Sequence, residues 1–116
     1  MIVAVQGTKD FNDYQVFLRA MAVAMSTMSS EDKELLIYSV GPTKINSMVS
    51  EFTNLSERGM KARGKKIKFF KVPVSYVEEN IDYVNYLIFL SKPKELVSKL
   101  VEKAELKNIE VGIYRY

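Results

Sequence analysis

Short apolar runs rich in β-branched and aromatic residues alternate along this chain with stretches whose apolar residues recur every three or four positions. The runs are Ile2 to Gln6 (IVAVQ), Leu35 to Val40 (LLIYSV), Ile67 to Val72 (IKFFKV), Tyr83 to Leu90 (YVNYLIFL) and Ile109 to Tyr114. Each is too short for a helix and carries the composition of a buried strand. Between them the period changes. Tyr14, Phe17, Leu18, Met21, Ala22, Met25 and Met28 make one helical stripe, and Ile45, Met48, Val49, Phe52 and Leu55 a second. Leu96, Val97, Leu100, Val101 and Ala104 make a third. Met21, Met25, Met28 and Met48 lie on these stripes and read as core. Strands that alternate with helices form a parallel sheet, because each parallel crossover needs a covering helix. The pattern predicts one α/β domain over residues 1–116: a Rossmann-like three-layer fold, a mostly parallel sheet of about five strands, and helices on both faces.

Local chemistry punctuates the pattern. Asn12 or Asp13 is placed to cap the first helix, and Ser91 the last, with Pro93 tolerated in its first turn. Gly59 and Gly64 are candidate ends of the second helix. Val74 to Asp82, the one break in the alternation, is expected to hold a short helical turn. No internal repeat or linker interrupts the 116 residues, and 47% hydrophobic composition is enough for one core.

The chain has no cysteine and no histidine. Disulfides, thiolate or imidazole metal sites, and mechanisms using a histidine base or cysteine nucleophile are excluded. No apolar run approaches the roughly 20 residues that cross a bilayer, and Met1 leads into Ile2 without a basic stretch. A cytoplasmic protein with no membrane partner is the expectation.

Net charge is +3, but it is divided. Glu57 to Lys71 holds seven basic residues (Arg58, Lys61, Arg63, Lys65, Lys66, Lys68 and Lys71) and one acid, while the remainder carries ten basic and thirteen acidic groups. Such a strip is able to bind a nucleic-acid backbone through Arg58, Lys61, Arg63, Lys65 and Lys66, with Phe69, Phe70 and Tyr76 available for stacking. It is equally what a solvated helix C-terminus looks like.

In open parallel sheets ligands bind beyond the carboxyl ends of the strands, where helix N-termini face outward. Three turns there share a composition: Gly7-Thr8-Lys9-Asp10, Gly41-Pro42-Thr43-Lys44 with Asn46, and Ser91-Lys92-Pro93-Lys94. Hydroxyls, ammonium groups and helix N-termini together favour an anion. The candidate ligand-binding residues are therefore Gly7, Thr8, Lys9, Asp10, Gly41, Pro42, Thr43, Lys44, Asn46, Ser91 and Lys92. The glycines would admit close approach of backbone to phosphate. Asp10 or Asp13 would orient Lys9 or receive a ribose hydroxyl. Neither a full Walker A run nor G-x-G-x-x-G is present. The same residue types also serve any strand-to-helix turn.

The run Gly7-Thr8-Lys9-Asp10-Phe11-Asn12-Asp13-Tyr14, between a strand and an amphipathic helix, resembles the opening of YspA-like members of the SLOG superfamily. Their second strand likewise ends in a glycine motif, where Val40-Gly41-Pro42-Thr43 stands here. The resemblance implies a Rossmann-like fold and a nucleotide or nucleotide-derived ligand, and it is compatible with self-association. The glycine-rich turn of the phosphoribohydrolase relatives is replaced by Ser91-Lys92-Pro93-Lys94-Glu95. A binding module without strong catalysis is therefore expected. It requires no cofactor beyond any Mg²⁺ that a nucleotide carries, and has no catalytic or metal-ligating residue of its own. A nucleotide phosphoribohydrolase or nucleosidase using Glu78, Glu79 or Glu95 is the enzymatic alternative. The non-enzymatic alternative is an interaction protein of viral (phage) or mobile-element kind. It would act on nucleic acid or a protein through the strip 58–71, or through the terminal strand with its Tyr114-Arg115-Tyr116 tail as an oligomer contact.

Overall fold

A computed structural model describes all residues 1–116. The elements are β1 (Ile2–Gly7), α1 (Tyr14–Met25), β2 (Glu34–Gly41), α2 (Thr43–Ala62), β3 (Lys66–Lys71), α3 (Val74–Glu79), β4 (Tyr86–Ser91), α4 (Lys99–Leu106) and β5 (Glu110–Arg115). A single 3-10 turn, Ile81–Tyr83, precedes β4. The strands form one sheet in the order β3-β2-β1-β4-β5. Every neighbouring pair is parallel, so the sheet is wholly rather than mostly parallel.

Alternate residues of each strand face opposite sides, and two helical layers cover them. Val3, Val5, Leu35, Ile37, Ile88 and Leu90 meet Phe17 and Met21 of α1 and Ile45, Val49 and Phe52 of α2. On the other face Ala4, Tyr38, Leu87 and Phe89 meet Val77 and Ile81 around α3, and Leu100, Val101 and Ala104 of α4. β4 is buried at all six positions, as a strand covered on both faces must be. No helix is long and apolar enough to cross a membrane.

Helix α1 begins where Asp13 accepts a hydrogen bond from Val16 N–H at 3.1 Å. α2 ends at Ala62 with Arg63 as its C-terminal cap, and Gly64 follows with φ +73°, a left-handed turn that glycine adopts without cost. Gly59 lies inside the helix instead.

Two boundaries depart from the sequence pattern. Tyr83 to Asn85 do not belong to β4. Tyr83 is 70% exposed in the 3-10 turn, and the Asn85 side chain accepts from Ile2 N–H at 2.7 Å where β1 starts. Helix α4 starts at Lys99 rather than near Ser91. Ser98 caps it by accepting from Val101 N–H at 3.3 Å. Ser91 is the last, fully buried residue of β4, and Leu96 is 89% exposed rather than part of the core.

Candidate functional site

The strand order reverses direction between β1 and β4, which marks the crevice where such sheets ordinarily take ligands. Here the chain's own groups close it. Thr8 N–H donates to the Leu90 carbonyl at 2.9 Å. The Thr8 hydroxyl donates to Glu95 Oε1 at 2.7 Å, and Lys92 N–H donates to the same oxygen at 2.5 Å. Ser98 Oγ donates to Gln6 Oε1 at 2.5 Å. Arg115 reaches across from β5 to donate to the Glu95 carbonyl and, at 3.4 Å, to Ser91 Oγ. The Thr8 hydroxyl, then the Lys92 amide, hold the Glu95 carboxyl below its ordinary pKa, with the Arg115 and Lys92 charges adding to them. The donor set at this turn is thus suited to an anion, and the anion it holds is Glu95.

Gly7 has a mechanical reason to be glycine. A Cβ there would fall 2.5 Å from Ile45 Cδ1, so the first residue of the motif admits a buried side chain of α2. Phe11 is completely buried, Asp13 is the helix cap, and Tyr14 stacks on Phe17 with ring centroids 5.7 Å apart. The Tyr14 hydroxyl is buried without a partner, and that burial, with the nearby Glu51 charge, raises its pKa. Within Gly7 to Tyr14, only Lys9, Asp10 and Asn12 are exposed.

The turns after β1 and β2 come together. Lys9 and Asp10 from the first, and Pro42, Thr43 and Lys44 from the second, line one open cavity of about 390 Å³. It sits at the start of α2. Pro42, the residue before that helix, supplies no side-chain acceptor, so no cap covers the first-turn amides. Gly41, with φ +94°, turns the chain into this position. Asn46 is held from below: Ser39 Oγ donates to its Oδ1 at 2.5 Å. Thr43 also borders a second, polar cavity of about 520 Å³, with Asn46, Ser47, Ser50 and Asn54 of α2 and Lys71 at the end of β3.

Of the eleven residues singled out by the strand-end argument, Lys9, Asp10, Pro42, Thr43 and Lys44 thus share one cavity, with Asn46 beside it. Thr8, Ser91 and Lys92 gather around Glu95 instead. Ser47, Ser50 and Asn54 escaped the sequence reading. They continue Thr43 along the outer face of α2, a polar stripe visible once the helix is drawn as a wheel. No three acidic side chains come together as a cation site.

The basic strip divides as well. Lys65 Nζ donates to the carbonyls of Ser29 and Asp32, so this lysine fastens the loop before β2. Lys61, Lys66 and Lys68 line an open cavity of about 410 Å³ at the β3 edge. Arg58 lies with Lys61 and Asn54 on α2, and Arg63 follows at its end.

Comparison with protein-family models, with curated proteins and with solved structures returns no significant match.

Proposed function

We propose that the protein binds a small, phosphate-bearing ligand of nucleotide type in the cavity between the β1 and β2 turns. The observation that carries this reading is the convergence of Lys9, Thr43 and Lys44 on one opening above the uncapped start of α2. Two ammonium groups, a hydroxyl and outward-facing amides match a phosphate in charge and in hydrogen-bond donors. Asp10, at the same opening, suits a ribose hydroxyl or a lysine partner. The adjoining face of Asn46, Ser47 and Ser50 offers amides and hydroxyls, the partners that a sugar or base edge needs. The lining is almost wholly polar, which favours a polar ligand over a greasy one. The resemblance of Gly7 to Tyr14 to the SLOG opening supports the same ligand class. Binding rather than hydrolysis is the role assigned. Of the carboxylates near this edge, Glu95 is engaged by Thr8 and Lys92, Asp10 is assigned to the ligand's ribose or to a lysine, and Glu78 and Glu79 lie on α3, outside the lining of this cavity.

A thermal-shift series with inorganic phosphate, nucleoside mono- and triphosphates and cyclic dinucleotides tests this. A ligand at 100 times its Kd stabilises by about 2.7 kcal/mol. For a domain of this size that raises Tm by roughly 8–15 °C. Lys9→Ala and Lys44→Ala should each abolish the shift while leaving the ligand-free Tm within about 2 °C, since exposed substitutions cost little. Absence of a shift with every compound at millimolar concentration refutes the proposal.

A further inference from the structure

β3 is an outer strand, and its free edge carries an ordered set of side chains. Lys66, Lys68 and Phe70 occupy alternate positions, about 6.6 Å apart, and so point to one face. That face is the one shared by Tyr38, the register partner of Phe70. Phe70 is 51% exposed. Tyr38 packs edge-to-face on Tyr76 of α3 at 5.3 Å, and Tyr76 is 41% exposed. Two accessible aromatic rings thus flank one buried ring at the end of a row of lysines. Lys61 of α2 joins Lys66 and Lys68 around the edge in the same 410 Å³ cavity. The acids near this stretch are Glu34, 3.8 Å from Lys68 in an exposed pair, Glu57 in the cavity lining, and Glu78 and Glu79, which follow Tyr76 on α3. An exposed pair of this kind holds the lysine only weakly.

We infer that this edge is a docking track for single-stranded nucleic acid, distinct from the phosphate cavity. Lys61, Lys66 and Lys68 follow the backbone, and Phe70 and Tyr76 offer faces on which unpaired bases stack. Charge decides the occupant. A second copy of the chain added at this edge would bring the lysines of two β3 strands together, an arrangement that edge lysines oppose. A polyanion with exposed aromatic bases satisfies both halves of the surface at once. Stacking also selects the single strand, because the bases of a duplex offer no free faces at its side.

Fluorescence anisotropy with a labelled oligothymidine of about 16 nucleotides, and with a duplex of equal length, tests the track on the full chain. The single strand should bind more tightly. Its log affinity should fall with log salt at a slope near −2, from about −0.7 for each of three lysine–phosphate contacts. Phe70→Leu and Tyr76→Leu, which keep apolar bulk, should each weaken binding roughly tenfold without changing that slope. The pair Lys66→Glu and Lys68→Glu should abolish binding, with unaltered circular dichroism as the check on folding. Lys9→Ala and Lys44→Ala should leave affinity at the parental value. Several results overturn the inference: equal affinity for duplex and single strand, parental affinity in Phe70→Leu, or loss of binding in Lys9→Ala. So does self-association through β3 with no oligonucleotide retained. Because the nucleotide cavity is tested by its own variants, either proposal can fail alone.

Discussion

Replacing Gly7 with alanine separates packing from ligand binding at the first strand-end turn. An ideal Cβ on Gly7 lies 2.5 Å from Ile45 Cδ1, 2.6 Å from Ile45 Cγ1 and 3.4 Å from the Leu90 carbonyl oxygen. Carbon atoms in contact settle about 3.5–4.0 Å apart, so Ile45 would have to retreat by roughly 1 Å. It has little room, because it is completely buried in the layer between α2 and the sheet, and its β-branched χ1 is stiff. Overpacking of this kind costs about 1–3 kcal/mol. Against that, alanine reduces the freedom of the unfolded chain by an equivalent of about 0.4–1 kcal/mol. The expected outcome is a net loss of about 0.5–2 kcal/mol, read as a lower urea midpoint at unchanged slope. The double variant with Ile45→Ala gives the decisive control. Ile45→Ala alone should cost about 2–5 kcal/mol, and the methyl group added by Gly7→Ala would occupy part of the space it opens. The pair should therefore be less destabilised than the sum of its members, by about 0.5–3 kcal/mol. A neutral Gly7→Ala, or strict additivity, refutes this account. It would return Gly7 to the role of admitting a ligand to the backbone, in which binding falls and stability stays.

Phe11 sits in a polar turn yet is fully buried, so Phe11→Ala should cost about 3–5 kcal/mol in urea unfolding, where an exposed loop aromatic would cost under about 0.5 kcal/mol. The Glu95 carboxyl titrates below its ordinary value of 4.5 because Thr8 and Lys92 bind its charged form. Its stabilising contribution is complete above that unfolded value and is lost as pH falls through the lower folded one. Glu95→Gln should therefore flatten the acid limb of a urea-midpoint profile below about pH 4.5; an identical limb in the variant would show that the tether contributes nothing.

The sheet was legible in the sequence because every strand has a run of its own and every long crossover a stripe. The α4 boundary was not legible, and the reason is specific. Ser91 and Ser98 are both competent caps by local chemistry. The choice between them is made by the Thr8–Glu95 contact, which joins residues 87 positions apart. Lys94 takes a left-handed φ of 75° in the turn that lets Glu95 fold back, so the helix cannot begin until that turn is complete. Strand ends Gly7 and Gly41 were equally legible as glycine turns, but their tasks differ. Gly7 yields space to Ile45, and Gly41 supplies a backbone angle. The motif Gly7 to Tyr14 likewise divides into residues that build the turn and the exposed Lys9, Asp10 and Asn12, a division that needs burial to see.

The order β3-β2-β1-β4-β5 also dictates a sequence of events during synthesis. β1, β2 and β3 are all synthesised before β4 and are able to pair without it, leaving the far side of β1 open. That side reads IVAVQ and carries no lysine, unlike the finished border at β3. Until YLIFLS arrives to dock against it, the nascent chain presents a sticky apolar margin to its neighbours on the polysome. The delay between translating residue 71 and residue 91 is therefore the interval in which this protein is most exposed to misassembly, and the one in which a chaperone would have most to do.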